Sequence, residues 1–242
     1  MTKAIKTSLV TGGTRGIGSE ISEVLRDRGD WVITVSRREI NDENHFSVDL
    51  SSKKQLSKLS KNIGSTTIDN LVFCHRYRGK SWNKEFQISL DAVHHTIEAL
   101  KTNLAADSSI VIIGSNASRF VLDEQSLAYH ATRSALESLM RYYVVQLGAQ
   151  GIRCNCVLPT SVIKPENKDF FTSNNPVTQL IEDITPLKRM GRASDVAHLV
   201  EFLCSEKASF ITGQSIFVDG GLSIVGQESI ARRLKGLSHP GQ

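Results

Sequence analysis

The chain has 242 residues, 40% of them hydrophobic, and a formal net charge of +4 at pH 7. That length suits one large or two small domains, and the apolar content is enough to fill a core. The mild positive balance argues against a nucleic-acid partner. No run approaches the roughly 18 apolar residues of a membrane span, and residues 1–20 lack the basic-then-apolar pattern of a secretion signal. A cytoplasmic protein with no membrane partner is therefore expected.

Residues 8–10 (SLV) form the first expected strand, and they run into the glycine-rich segment LVTGGTRGIGSE at 9–20. Gly12, Gly16 and Gly18 are spaced G-x-x-x-G-x-G, between a strand and the helix expected over 18–28. Glycines there permit a tight turn and close backbone approach to a pyrophosphate. The helix start offers free amides and a positive dipole end to the same anion. The second strand, 31–35, ends in SRR at 36–38. An acid at this point of a dinucleotide fold binds a free ribose 2′-hydroxyl, whereas an arginine pairs with a 2′-phosphate. Arg37, assisted by Arg15, thus points to NADP over NAD. A third strand at 46–48 leads into VDL at 48–50, where Asp49 is placed to accept from an adenine amino group.

Further along, strands at 68–73, 110–113, 152–158 and 216–218 alternate with helices at 53–62, 84–103, 128–147 and 195–204. Continuous apolar strands between helices imply a buried parallel sheet. The expected fold is α/β: one Rossmann-type doubly wound domain over residues 1–242, with about seven strands. Residues 164–185 break the alternation, carry Pro165 and Pro176, and read either as a substrate lid or as a surface insertion. Cys74, Cys154, Cys156 and Cys204 form no C-x-x-C pair. They are expected as reduced core thiols, with both thiols of the C-x-C on one strand face and no metal site.

The segment YHATRSA at 129–135 places Tyr129 and Arg133 four residues apart, on one face of a helix. With TGGTRGIG, VDL, the serine after the fifth strand, Pro159 and the tail PLKRMGRASDVAHLVEFLCSEKASFITGQSIFVDGG at 186–221, this helix makes the chain resemble a classical short-chain dehydrogenase/reductase of the 3-oxoacyl-carrier-protein reductase type. The resemblance runs over nearly the whole chain. It implies that Tyr129 protonates a carbonyl oxygen as nicotinamide delivers hydride, and that Ser115, or Ser118 if the register shifts, holds that oxygen. It places Gly12, Thr14, Arg15, Gly16, Ile17, Gly18, Arg37, Asp49, Leu50, Tyr129, Arg133, Pro159 and Val162 at the cofactor. Catalysis falls to Ser115, Tyr129 and Arg133. A homotetramer or dimer built through the helices at 84–103 and 128–147 is also implied.

Several positions depart from the family pattern. The family lysine that binds the nicotinamide ribose and helps the tyrosine lose its proton is here Arg133. Its helix asparagine is Ser89, its N-N-A-G is FCHR at 73–76, and the threonine after Pro159 is Lys164. A guanidinium keeps its charge, so it can assist electrostatically, yet it does not relay a proton. His75, Arg76, Arg78 and Lys80, with Arg119, suggest an anionic group on a small-molecule substrate, although loop cations are also commonly just solvated. Three readings remain: an NADP-dependent reductase interconverting a carbonyl and a secondary alcohol, an NADP-binding pseudo-enzyme, and a dehydratase or isomerase.

Overall fold

A computed structural model of the chain describes residues 5–172 and 175–237. Its centre is a seven-stranded sheet built from β1 (Thr7–Thr11), β2 (Trp31–Ser36), β3 (His45–Ser47), β4 (Ile68–Phe73), β5 (Leu104–Ile113), β6 (Arg153–Pro159) and, near the end, β9 (Ser215–Val218). The spatial order is β3-β2-β1-β4-β5-β6-β9, and every pairing is parallel. Successive side chains in a strand point to opposite faces. Leu9, Ile33 and Leu71 accordingly enter one core, under α2 (Lys53–Ile63), α4 (Ala92–Leu100) and α5 (Leu127–Leu147). Val10, Val32 and Val72 enter the other, under α1 (Gly16–Asp27) and α8 (Ala193–Leu203). Both faces are covered, which is why the strands read as unbroken apolar runs.

Strand order reverses between β1 and β4, so a crevice opens at the carboxyl ends of these strands. The segments that follow β1, β4, β5 and β6 all emerge there. With the last residues of β4 and β6, they carry the glycine turn, FCHR, Ser115 and Pro159.

The expected single-domain α/β sheet with seven strands is present, and the differences from expectation are local. β5 begins at Leu104, six residues before its expected start. Its pairing with β4 shifts register between Ile68 and Asn70, and Ala106 and Asp107 of β5 are exposed there. Apolar patterning therefore marks only the buried half of the strand. The helix expected over 84–103 is composite: α3 (Trp82–Phe86), a π-helical turn (Gln87–Asp91) and α4, closed by a 3-10 turn. Residues 164–185, apart from 173–174, which lie outside the described residues, hold α6 (Lys168–Thr172) and α7 (Pro176–Ile184). Ahead of them β7 (Val162–Ile163) pairs with β8 (Gly191–Arg192). The tail adds α9 (Gln227–Leu234), which lies against α7.

All four cysteines are free; Cys154 and Cys156 share one core, as their alternate spacing requires, and Cys204 is in the other. Burial pushes the Cys156 and Cys204 thiols up to about 12. No helix among the described residues is long and apolar enough to cross a membrane.

Candidate active site

The glycine turn is set by backbone conformation. Gly12 and Gly16 have φ of +68° and +56°, the left-handed region that other residues avoid. Gly18 has ordinary torsions but no room: a Cβ there would overlap the Gly12 carbonyl, with its carbon at 2.8 Å. The Ser22 hydroxyl lies within bonding distance of the Gly13 and Gly18 carbonyl oxygens, at 3.1 and 2.9 Å, and ties the turn to α1.

On one side of this turn, Gly12, Thr14, Arg15, Arg37, Asp49 and Leu50 line a single recess, which Arg38, His75 and Arg76 also border. Burial raises the Asp49 carboxyl, but bonds from Ser51 and the charge of Arg37 outweigh it and hold the group below its ordinary value. Neither Arg15 nor Arg37 makes an ion pair among the described residues.

On the other side, Arg15, Gly16 and Ile17 share a cleft with Ser115, Tyr129 and Arg133, which Pro159 and Val162 close. Gly18 sits behind the turn and lines neither space. Ser115 follows β5 and is buried; its hydroxyl accepts from the Ala117 amide at 3.1 Å and lies 3.2 Å from Asn116 Oδ1. Ser118 instead donates to the Ser115 carbonyl at 2.8 Å and does not line the cleft. Tyr129 stands in the first turn of α5, where the Ser126 side chain caps the helix by accepting from its amide at 3.2 Å.

Arg133 lies one turn further on. It is only 2% exposed, and its Cζ sits 4.9 Å from the Tyr129 ring centroid. Its Nη2 donates to Glu85 Oε1 at 3.2 Å, and Glu85 is itself 4% exposed. This carboxylate was not among the residues expected from sequence. Its contact with Arg133 spans 48 positions, so no local pattern marked it. Ser89 is buried in the π-helical turn and accepts from the Tyr77 amide at 3.0 Å, so it secures the loop after β4.

That loop carries His75, whose Nδ1 is 2.8 Å from Thr11 Oγ1. Burial, reinforced by the charge of Arg133, pushes the imidazole down to about 4. Arg76 and Arg78 line the cleft with Lys164. Burial, then the charges of Arg76 and Arg78, lowers the Lys164 amine from its ordinary value. Arg119 is not part of this cationic group. Its Nε donates to Glu137 Oε1 at 3.0 Å, its second nitrogen pairs with the other carboxylate oxygen, and it is absent from the cleft lining. The suggested role of Arg119 in holding a substrate anion is therefore corrected: the buried Glu137 carboxylate draws it away.

A family model described as enoyl-(acyl carrier protein) reductase matches residues 12–223. The chain is a short-chain dehydrogenase/reductase. A tropinone reductase homolog of Arabidopsis thaliana is 34% identical to this dehydrogenase/reductase, over 91% of this chain and 93% of its own. A second homolog from the same plant is 32% identical, over 91% of each chain. Among solved structures, the aldohexose dehydrogenase of Thermoplasma acidophilum superposes with a TM-score of 0.82 at 26% identity, covering 92% of this chain and 96% of that one. A Brucella melitensis short-chain dehydrogenase/reductase, titled glucose/ribitol dehydrogenase, gives 0.77 at 28% identity, covering 90% and 96%. Proteins of this family are oxidoreductases that use a nicotinamide cofactor and act on small molecules.

Proposed function

We propose that the protein is an NADP-dependent oxidoreductase interconverting a carbonyl and a secondary alcohol on a small substrate, with Tyr129 as acid and base. The observation that carries this reading is the meeting of Ser115, Tyr129 and Arg133 with the glycine turn in one cleft. Gly12 and Gly18 leave the turn free of side chains, and Arg133 lines the cleft beside Tyr129, which suits an incoming acceptor oxygen. The cofactor supplies the hydride when bound. Ser115 and Tyr129 hold the substrate oxygen, and Tyr129 moves its proton. Arg133 donates to a hydroxyl and keeps a positive charge beside the phenol without relaying a proton.

Arg37 and Arg15 favour a 2′-phosphate over a free 2′-hydroxyl. Arg76 and Arg78 favour an anionic group on the substrate. Assembly into a dimer or tetramer and a cytoplasmic location belong to the same proposal, by likeness to the family. The test is reduced-cofactor oxidation followed at the nicotinamide absorbance band with a panel of ketones, neutral and anionic. Arg37→Glu should shift preference from NADP toward NAD by about tenfold or more, the loss of one charge-assisted contact. A variant with unchanged preference would reject the assignment of Arg37.

A second reading, a nucleotide-binding protein of low turnover, is favoured by one observation: Arg133 commits Nη2 to Glu85. Binding of NADP with no oxidation of reduced cofactor across the ketone panel would select it.

A further inference from the structure

We propose that Glu85 is a positioning residue, which aims the Arg133 guanidinium and thereby sets the donor that Arg133 presents to the cleft. The idea rests on the reading of Arg133 given above. Both groups are almost wholly removed from water, at 2% and 4% exposure. Burying one such charge alone is expensive, so each requires the other.

The geometry makes the pair directional. Glu85 Oε1 lies 3.2 Å from Arg133 Nη2 and 3.2 Å from Thr132 Oγ1. The Thr132 hydroxyl is also 3.0 Å from the Tyr129 carbonyl oxygen, so the carboxylate is tied to the helical turn that carries the phenol. A guanidinium is planar and rigid. Once Nη2 is aimed at Glu85 and Cζ lies 4.9 Å from the Tyr129 ring centroid, the directions open to Nε and Nη1 are restricted. Nε is buried without a partner among the described residues, which leaves Nη1 as the nitrogen open to the cleft. A lysine ammonium, with three donors free to rotate, needs no such guide. The exchange of lysine for Arg133 is thus matched by a carboxylate on α3, immediately before the π-helical turn.

The test uses the wild-type chain, Glu85→Gln, Arg133→Met and the double variant. Glu85→Gln keeps shape and removes charge. In the ligand-free protein labelled with 15N-arginine, the Arg133 Nε–H signal is assigned by its loss in Arg133→Met. It should be sharp in wild type, and shifted and broadened in Glu85→Gln. An unchanged signal would overturn the proposal, whether or not the protein proves to be a reductase. Fluorescence titration with NADPH supplies a second readout. Glu85→Gln should weaken binding about tenfold, the scale of one re-aimed hydrogen bond to a charged group. It should have no further effect in the Arg133→Met background. An equal loss in both backgrounds would show that Glu85 does not act through Arg133. Absence of NADPH binding in wild type would instead defeat the proposed function and leave the spectroscopic result to decide this inference.

Discussion

Acid should loosen the protein through His75 before it reaches the carboxylates. The imidazole is pushed from 6.5 to about 4, chiefly by burial and next by Arg133. Its folded-state value is depressed, so the unfolded chain binds more protons between these limits and stability falls as pH falls through them. Linkage gives a loss of about 1.2 kcal/mol at pH 5.5 and about 2.4 kcal/mol at pH 4.5, relative to neutral pH. Asp49, Glu137 and Asp195 are held below their ordinary values, so their contributions disappear only at lower pH. Urea unfolding of wild type and His75→Gln at pH 7, 5.5 and 4.5 measures the effect. The variant should lose about 2 kcal/mol less than wild type over this range. Parallel losses in the two proteins would refute the reasoning.

Gly18→Ala should weaken NADPH binding at least tenfold and cost about 1–3 kcal/mol of stability, because its methyl meets rigid backbone at Gly12; fluorescence titration and thermal unfolding measure both. Arg119→Ala should cost about 1.5–3 kcal/mol, because it leaves the buried Glu137 carboxylate without its charged partner, and should leave the KM of an anionic ketone unchanged. Arg76→Ala should raise that KM several-fold while sparing a neutral ketone, which steady-state kinetics can separate.

The sheet was legible because its strands are buried on both faces and appear as apolar runs between amphipathic helices. The glycine turn was legible because its spacing reflects local torsions. What escaped depended on contacts across the chain. Glu85 and Arg133 are 48 positions apart, and nothing local distinguishes a buried glutamate from a solvated one. Arg119 and Arg76 look alike in sequence, and only the placement of Glu137 separates them. Of the helices inside 164–185, α6 is too short to show a period, whereas α7 does carry an apolar stripe at Val177, Leu180, Ile181 and Ile184, which the polar composition and the two prolines of the segment masked.

The enclosed sulfurs have a practical consequence. Alkylating reagents attack thiolates, and burial keeps the thiols of Cys154, Cys156 and Cys204 protonated; Cys74, at the cleft, is likewise pushed up to about 12. A maleimide dye attached to one cysteine introduced on the outer side of α9 would therefore meet no competition from Cys154, Cys156 or Cys204, and Cys74, which lines the cleft, is the native thiol to replace first.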